Sequence, residues 1–229
     1  KLNMENHMAK WSYSALSLFQ QCPRKYYRLR VEKDIKQESS HALIYGKEAH
    51  KVAENYIRDD TAIPARFSFL TPYLDIFKNI EGDKLCEYEM GLTKKLEPCG
   101  FKDEEYWWRG IADLIITDDD SAYVVDYKTG KNARYADTKQ LEILSIATFK
   151  HFPKINYIKA GLVFVVSGDL VNTKYVRSQI PELWSKFAPE TERLEKAFET
   201  GVWNPSPNFT CKNYCPVVDC EHNGRGVYG

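Results

Sequence analysis

The chain has 229 residues, of which 43% are hydrophobic and 28% charged, and its formal net charge is zero. This composition is typical of a soluble globular protein and excludes a strongly basic overall surface, so contacts with nucleic acid must depend on local patches. No apolar run is long enough to span a membrane and no signal peptide opens the chain, so we expect a cytoplasmic protein with no membrane partner. Six cysteines without a secretory signal favour metal binding over disulfides.

Residues 1–10 are interpreted as a leader or tag remnant, with the native start at Met8 or, alternatively, Met4. The first predicted helix begins near Ser12 or Ser14, which can cap it, and ends at Cys22-Pro23, because the residue before a proline disfavours helix. Basic and aromatic side chains follow and could contact phosphates and bases. The alternative is a half-buried helix with a solvated basic edge. The candidate DNA-binding residues are Arg24, Lys25, Tyr26 and Tyr27.

Apolar residues at helical spacing predict a helix over residues 39–58, with His50 beside its apolar stripe. A lone histidine in such a place is usually structural. Residues 60–78 are expected to form a loop followed by a short helix near 73–80. Alternation over residues 86–96 predicts a strand that carries Glu87 and Glu89, and a polar loop is expected over 97–105.

Residues 109–131 contain two apolar runs around an acidic break, which predicts a β-hairpin. If Thr117 pairs with Ala122, counting outward places Asp113 opposite Asp126. Two opposed carboxylates destabilise a sheet unless a cation lies between them, and Mg²⁺ prefers such oxygen ligands. Lys128 points the same way as Asp126 and could steady a developing negative charge. The alternative is an ordinary exposed hairpin with a polar face.

A helix is predicted over residues 137–151, with Gln140 in its first turn, and a buried strand over 160–166. A further strand is expected near 175–178, and one amphipathic helix over 181–199. Residues 201–229 are rich in Pro, Gly, Asn and Cys and have no clear apolar core.

The GKEAH, GIADLI and DYKTG segments, followed by a glutamine, resemble the PD-(D/E)XK nuclease superfamily and its RecB-like branch, which includes phage exonucleases and CRISPR-associated adaptation nucleases. The resemblance covers nearly the whole chain. It implies an α/β fold with a restriction-endonuclease-like core, a mixed central sheet and flanking helices. Residues 11–200 would form the nuclease domain, and residues 201–229 would pack with the N-terminal helix. A phage-encoded protein would act in the host cytoplasm.

The resemblance also implies roles for individual residues. His50 matches a metal-ligating histidine, which overrides the structural interpretation above. Glu87 matches the acid of the first strand, with Glu89 as the alternative. Leu144 replaces a tyrosine that is common in the family, which puts one DNA contact in doubt. The implied metal ligands are His50, Asp113, Asp126 and the carbonyl of Tyr127. The implied catalytic residues are Lys128, Glu87 and Gln140.

Three cysteines lie within ten residues of the C-terminal segment, and four thiolates are the usual ligand set of iron–sulfur clusters. The resemblance supplies an N-terminal partner, so a [4Fe–4S] cluster is predicted, although the spacing within the trio departs from the familiar one. Alternatives are zinc, held by the trio with Cys22 or His222, and free buried thiols. The predicted cluster ligands are Cys22, Cys211, Cys215 and Cys220.

The sequence thus predicts a Mg²⁺- or Mn²⁺-dependent deoxyribonuclease, interpreted as an exonuclease in phage-type recombination, repair or DNA processing. The alternative is a DNA-end-binding module that does not cleave and acts with a recombinase or helicase. A structural zinc protein is a third hypothesis, but it leaves the opposed aspartates unexplained.

Overall fold

The computed structural model describes residues 9–36, 40–130, 133 and 136–225. The chain forms two compact units. One combines Lys1–Ser39 with Phe187–Gly229, and the other is the continuous segment Ser40–Lys186. The domain boundaries predicted from the sequence, 11–200 and 201–229, stay a prediction.

The continuous unit contains a six-stranded mixed sheet in the order β2-β1-β3-β4-β5-β6. Only β4 and β5 are parallel to each other, and the other neighbours are antiparallel. A parallel pair needs a crossover, which a helix provides here. The strands are β1 (Asp83–Leu92), β2 (Pro98–Cys99), β3 (Trp108–Asp118), β4 (Ser121–Lys128), β5 (Tyr157–Phe164) and β6 (Asp169–Val176).

Helices cover this sheet, as the predicted α/β fold class requires. Apolar residues of β3, β4 and β5 form one core cluster with α3 and α4. The crossover helix α5 contacts β1, β4 and β5 and is buried all round from residue 141 to 149. This includes Glu142, which pairs with Lys186 at 2.7 Å. The helices of this unit are α3 (His41–Asp59), α4 (Thr71–Asn79), α5 (Lys139–His151) and α6 (Ile180–Ser185), with 3₁₀ turns at Ala65–Leu70 and Arg177–Gln179.

Most predicted elements are confirmed with small shifts, but the strand expected near 175–178 is largely wrong, because β6 spans Asp169–Val176 and a 3₁₀ turn begins at Arg177. The helix expected over 39–58 is α3, capped by Ser40, whereas Ser39 lies outside the described residues. The expected loop over 97–105 contains the short strand β2. The single helix predicted over 181–199 is wrong, because α6 ends at Ser185 and α7 (Ala188–Thr200) begins separately. Pro189 in the first turn of α7 explains the break, since proline is tolerated only where a helix begins.

In the other unit, α1 (Tyr13–Gln21) ends as predicted at Cys22, whose backbone is extended. It is followed by α2 (Pro23–Tyr26), a π-helical turn at Tyr27–Val31, and later by a 3₁₀ turn at Phe209–Cys211. The Arg28 guanidinium binds both Asp34, at 2.5 Å, and Asp219, at 2.7 Å, and so connects the N-terminal helices with the C-terminal segment. Among the residues that the structure describes, no helix combines the length and apolarity needed to cross a bilayer.

Arg177 binds backbone carbonyls at the C-terminal end of α5. It donates to Phe149 and Phe152 at 2.7 Å each and to Ile155 at 2.9 Å. Carbonyls at a helix end have no partner within the helix, and a cation there also complements the helix dipole. We therefore expect Arg177→Ala to lower the free energy of unfolding by about 2 kcal/mol, a value typical of hydrogen bonds to a charged group.

Urea unfolding at neutral pH measures this effect. Lys174→Ala, which removes an exposed cation from β6, is the matched control and should stay within about 0.5 kcal/mol of the parent protein. Equal stabilities of the two variants would show that Arg177 does not hold the end of α5.

Candidate metal centre

The β3–β4 hairpin brings two aspartates together. Its register pairs Thr117 with Ala122, as predicted, and runs to Leu114 paired with Val125. One further step in the same register places Asp113 opposite Asp126. The predicted hairpin register is therefore confirmed as far as Leu114 and Val125, and its extension by one pair places the two aspartates opposite each other.

Glu87 lies beside Asp113 at an interruption of the β1–β3 ladder. The pairing passes from Cys86–Leu114 directly to Tyr88–Ala112. Between these pairs Glu87 has φ +49°, a left-handed conformation that is unfavourable for a side chain of this size. Strained backbone of this kind persists only where the surroundings enforce it, and it clusters at functional sites. The strand prediction placed Glu87 in this region but gave no signal of its unusual backbone.

His50 joins these carboxylates from α3. Its Nδ1 lies 3.2 Å from Asp113 Oδ1, and its Nε2 lies 3.0 Å from the carbonyl oxygen of Tyr127. The Tyr127 amide in turn donates to Asp113 Oδ2 at 2.7 Å. One ligand atom from each of His50, Glu87 and Asp113 lies within 4.8 Å of the others. An imidazole with two carboxylates suits Mg²⁺ or Mn²⁺, and imidazole ligation is more favourable for Mn²⁺.

Asp126 has different partners from those of the three grouped residues. Lys128 Nζ lies 2.6 Å from Asp126 Oδ2, and Gln140 Nε2 donates to Asp126 Oδ1 at 2.6 Å. Lys128 also donates to Gln140 Oε1 at 2.8 Å. The structure thus brings Glu87 into the group that could hold a metal ion, while the carboxylate of Asp126 contacts the lysine and the glutamine.

The charges of the centre influence one another. Burial, together with the charge of Asp113, raises the pKa of Glu87 to about 7. Burial and Asp113 also raise the pKa of Asp126, and Lys128 partly opposes this. For His50, burial alone would lower the pKa, but the hydrogen bond to Asp113 helps to raise it overall. Without a metal ion, the centre therefore holds protons more tightly than isolated side chains do.

The basic residues predicted to bind DNA lie in the other unit. Arg24 is paired with Glu221 at 2.6 Å, and Lys25 donates to Gln21 at 3.3 Å. The side chains of Arg24 and Lys25 are thus both engaged in local polar contacts. A DNA phosphate would have to compete with these partners.

The two tyrosines of the same segment pack on Trp203. The ring of Tyr27 is stacked at 5.2 Å and that of Tyr26 at 5.8 Å between centroids. Tyr26 is only 3% exposed, so stacking on a base would require its ring to leave this packing. Tyr27 is half-buried and needs a smaller rearrangement.

The four cysteines predicted to bind a cluster line one small cavity, together with His222. The amide of Ser206 donates to Cys22 Sγ, and that of Asn208 to Cys211 Sγ, both at 3.4 Å. Within the described part of the chain, no three of these sulfurs lie within 4.8 Å of one another. The residues that line the cavity include Cys22, Cys211, Cys215 and Cys220.

Comparisons with known proteins address the family and the fold of the chain. A model of the PD-(D/E)XK nuclease superfamily matches residues 10–220. The fold is similar to a crystal structure from Eubacterium rectale that bears the name "Putative exonuclease", with a TM-score of 0.53, 13% identity and coverage of 93% of this chain and 90% of that chain. A second similar structure, SSO0001, has a TM-score of 0.44, 16% identity and coverage of 95% and 89%. No curated protein matches significantly. The fold predicted from the sequence is confirmed.

Glu87→Gln should raise the stability of the metal-free protein at pH 8. The pKa of Glu87 is about 7 in the folded protein, against an ordinary value of 4.5, so the folded state binds this proton more tightly than the unfolded state does. Stability is therefore lost as the pH rises from about 4.5 to 7, and the glutamine variant avoids that loss. Thermal unfolding in chelator at pH 4.5 and at pH 8 measures the difference.

The gain in Tm of Glu87→Gln over the parent should be largest at pH 8 and should shrink towards pH 4.5. Adding Mn²⁺ at pH 8 should raise the Tm of the parent more than that of the variant, because only the parent keeps the carboxylate. Glu89→Gln, an exposed neighbour on the same strand, serves as the control. The same pH profile in both variants would contradict the role of Glu87.

Proposed function

The chain belongs to the PD-(D/E)XK nuclease superfamily, and on this premise we propose that it hydrolyses phosphodiester bonds of DNA with the help of a divalent metal ion. One observation carries the proposal. His50, Glu87 and Asp113 gather three ligand atoms within 4.8 Å, directly beside a lysine–aspartate pair on the neighbouring strand. This combination suits a hydrolase, because it joins a metal-binding group to a fixed cation.

His50, Glu87 and Asp113 would hold the ion, and Asp126 and the Tyr127 carbonyl are adjacent oxygen donors. When bound, such an ion supplies a water of lowered pKa and neutralises charge on the phosphate. The family resemblance assigns the ligand set to His50, Asp113, Asp126 and Tyr127, with Glu87 in a supporting role. The contacts of Asp126 with Lys128 and Gln140 instead favour Glu87 as a metal ligand and Asp126 in the supporting role.

Lys128 is the proposed electrostatic catalyst. Its Nζ is held by Asp126 and Gln140 at 2.6 and 2.8 Å, so its position is defined before a substrate arrives. A preorganised cation stabilises charge that develops on the phosphate without further reorganisation. Gln140 would position Lys128 and, through it, the scissile phosphate.

Exonuclease action is the more specific part of the proposal. The RecB-like resemblance supports it, and so does the name of the similar Eubacterium rectale structure. A role in phage-type recombination, repair or DNA processing rests on the resemblance alone. The alternative is a module that binds DNA ends for a recombinase or helicase without cleaving them, and the ordered lysine of the centre argues for catalysis instead.

We also propose that the four cysteines hold a [4Fe–4S] cluster rather than zinc. Around a single tetrahedral zinc at about 2.3 Å, four sulfurs would lie about 3.8 Å apart. In a cubane cluster each thiolate binds a different iron, so the sulfurs lie farther apart. The sulfurs line one cavity, yet no three of them lie within 4.8 Å among the described residues, a spacing wider than a single zinc ion would require. Amide donors to Cys22 and Cys211 would help to set its potential.

Lys128→Ala should slow the cleavage of end-labelled DNA about 100-fold or more at saturating DNA, because it removes charge stabilisation in the transition state. DNA affinity, measured separately with metal chelated, should change little. Asp113→Ala should abolish cleavage, and Lys154→Ala, which removes an exposed lysine, should leave it unchanged. A parent protein that binds DNA ends but cleaves none with Mg²⁺ or Mn²⁺ would favour the end-binding alternative.

Anaerobically purified protein should be brown and absorb near 400 nm, and it should contain about four irons per chain, as expected for thiolate-ligated [4Fe–4S]. Cys22→Ala should bleach the absorbance, whereas Cys99→Ala, a cysteine outside the cavity, should not. Stoichiometric zinc without iron would show that the cysteines bind zinc instead of a cluster. The absence of both metals would indicate free thiols.

A further inference from the structure

The first turns of α3 carry large apolar side chains that are exposed. Leu43 is 51% exposed and Ile44 is 46% exposed. The ring of the next residue, Tyr45, packs against Phe67 at 5.4 Å, so it has a structural role. Leu43 and Ile44 leave about half of their surfaces in water, at a place where charged residues would be the ordinary choice.

Leu43 lies on the face of α3 that carries His50. Residues seven apart in a helix are almost aligned, so these two side chains are separated by two turns, or about 10 Å. Gly46 lies between them, and a Cβ added there would be 3.2 Å from Thr129 Oγ1. Thr129 directly follows Lys128. This face of α3 therefore lies against the end of β4 and is continuous with the metal centre.

Two further features indicate which molecule this surface meets. Lys47 is exposed on the same face, one turn from Leu43, and gives it a positive charge suited to phosphate. Ile44 has nearly the same exposure as Leu43 but lies about 100° around the helix, away from the face of His50. The distance of about 10 Å along α3 between His50 and Leu43 equals about three base steps of a duplex, at 3.4 Å per step.

We propose that Leu43 is a wedge that contacts the terminal base pairs of duplex DNA and separates the strand that enters the metal centre. The inference rests on the function proposed above and adds a specificity determinant to it. Leucine and isoleucine side chains can insert between base steps and unstack them, and the neighbouring cation offsets the repulsion of the phosphates. Lys47 supplies that cation here.

The test compares three substrates: a blunt duplex, the same duplex with three mismatched terminal pairs, and its single strand. Leu43→Ala should cleave the blunt duplex at least about tenfold more slowly than the parent, since it must wait for the end to fray. Cleavage of the mismatched duplex and of the single strand should stay within about twofold of the parent. Ile44→Ala is the matched control and should behave as the parent on all three.

A second measurement does not depend on cleavage. A duplex with 2-aminopurine two positions from its end should brighten when the parent binds it in chelator, because the base unstacks, and Leu43→Ala should lose this response. If the parent cleaves none of the substrates but shows the Leu43-dependent fluorescence signal, the proposed wedge is supported and the proposed hydrolysis is contradicted.

Three results would overturn the wedge. One is an equal loss of cleavage by Leu43→Ala on all three substrates, or no loss on any of them. Another is a duplex-specific loss in Ile44→Ala as well. The third is a fluorescence response in the parent that Leu43→Ala retains, or no response in the parent at all.

Discussion

Crowding of negative charge between neighbouring strands is the constraint on which the rest of the site depends. Ligand atoms of Glu87 on β1 and Asp113 on β3 lie within 4.8 Å of each other, and Asp126 lies on β4, the next strand. These carboxylates are contacted by side chains from two different elements, the imidazole of His50 from α3 and the ammonium of Lys128 from β4. The position of α3 against the sheet is thereby coupled to the charge state of the centre.

The sequence was sufficient to predict how the two aspartates meet. Strand alternation and a short acidic turn allow few registers, and pairing Thr117 with Ala122 determines the rest by counting. The end of α1 at Cys22 could be predicted equally well, because a proline follows it. Both features depend on residues close together in the chain, where local sterics dominate.

What could not be predicted depends on tertiary contacts. The left-handed backbone of Glu87 lies where its pairing with β3 is interrupted, and no residue pattern within β1 announces it. The sequence also did not show which of Asp126 and Glu87 would lie beside His50. The two acids differ in their contacts, and these contacts come from α5 and α3, which are distant in the chain. The break between α6 and α7 did have a local signal in Pro189, but the apolar periodicity on either side obscured it.

The division of the chain has a consequence for biosynthesis. The unit that contains the cysteine cavity is discontinuous, with Ser40–Lys186 inserted within it. Cys22 precedes Cys211 by 189 residues, the difference of their numbers. At about 5–20 residues per second, a ribosome needs about 10–40 s to make that interval. During this time the sheet can fold, whereas the C-terminal cysteines that line the same cavity as Cys22 have not yet been synthesised. A group that required all four cysteines would therefore be acquired only after translation has passed residue 220.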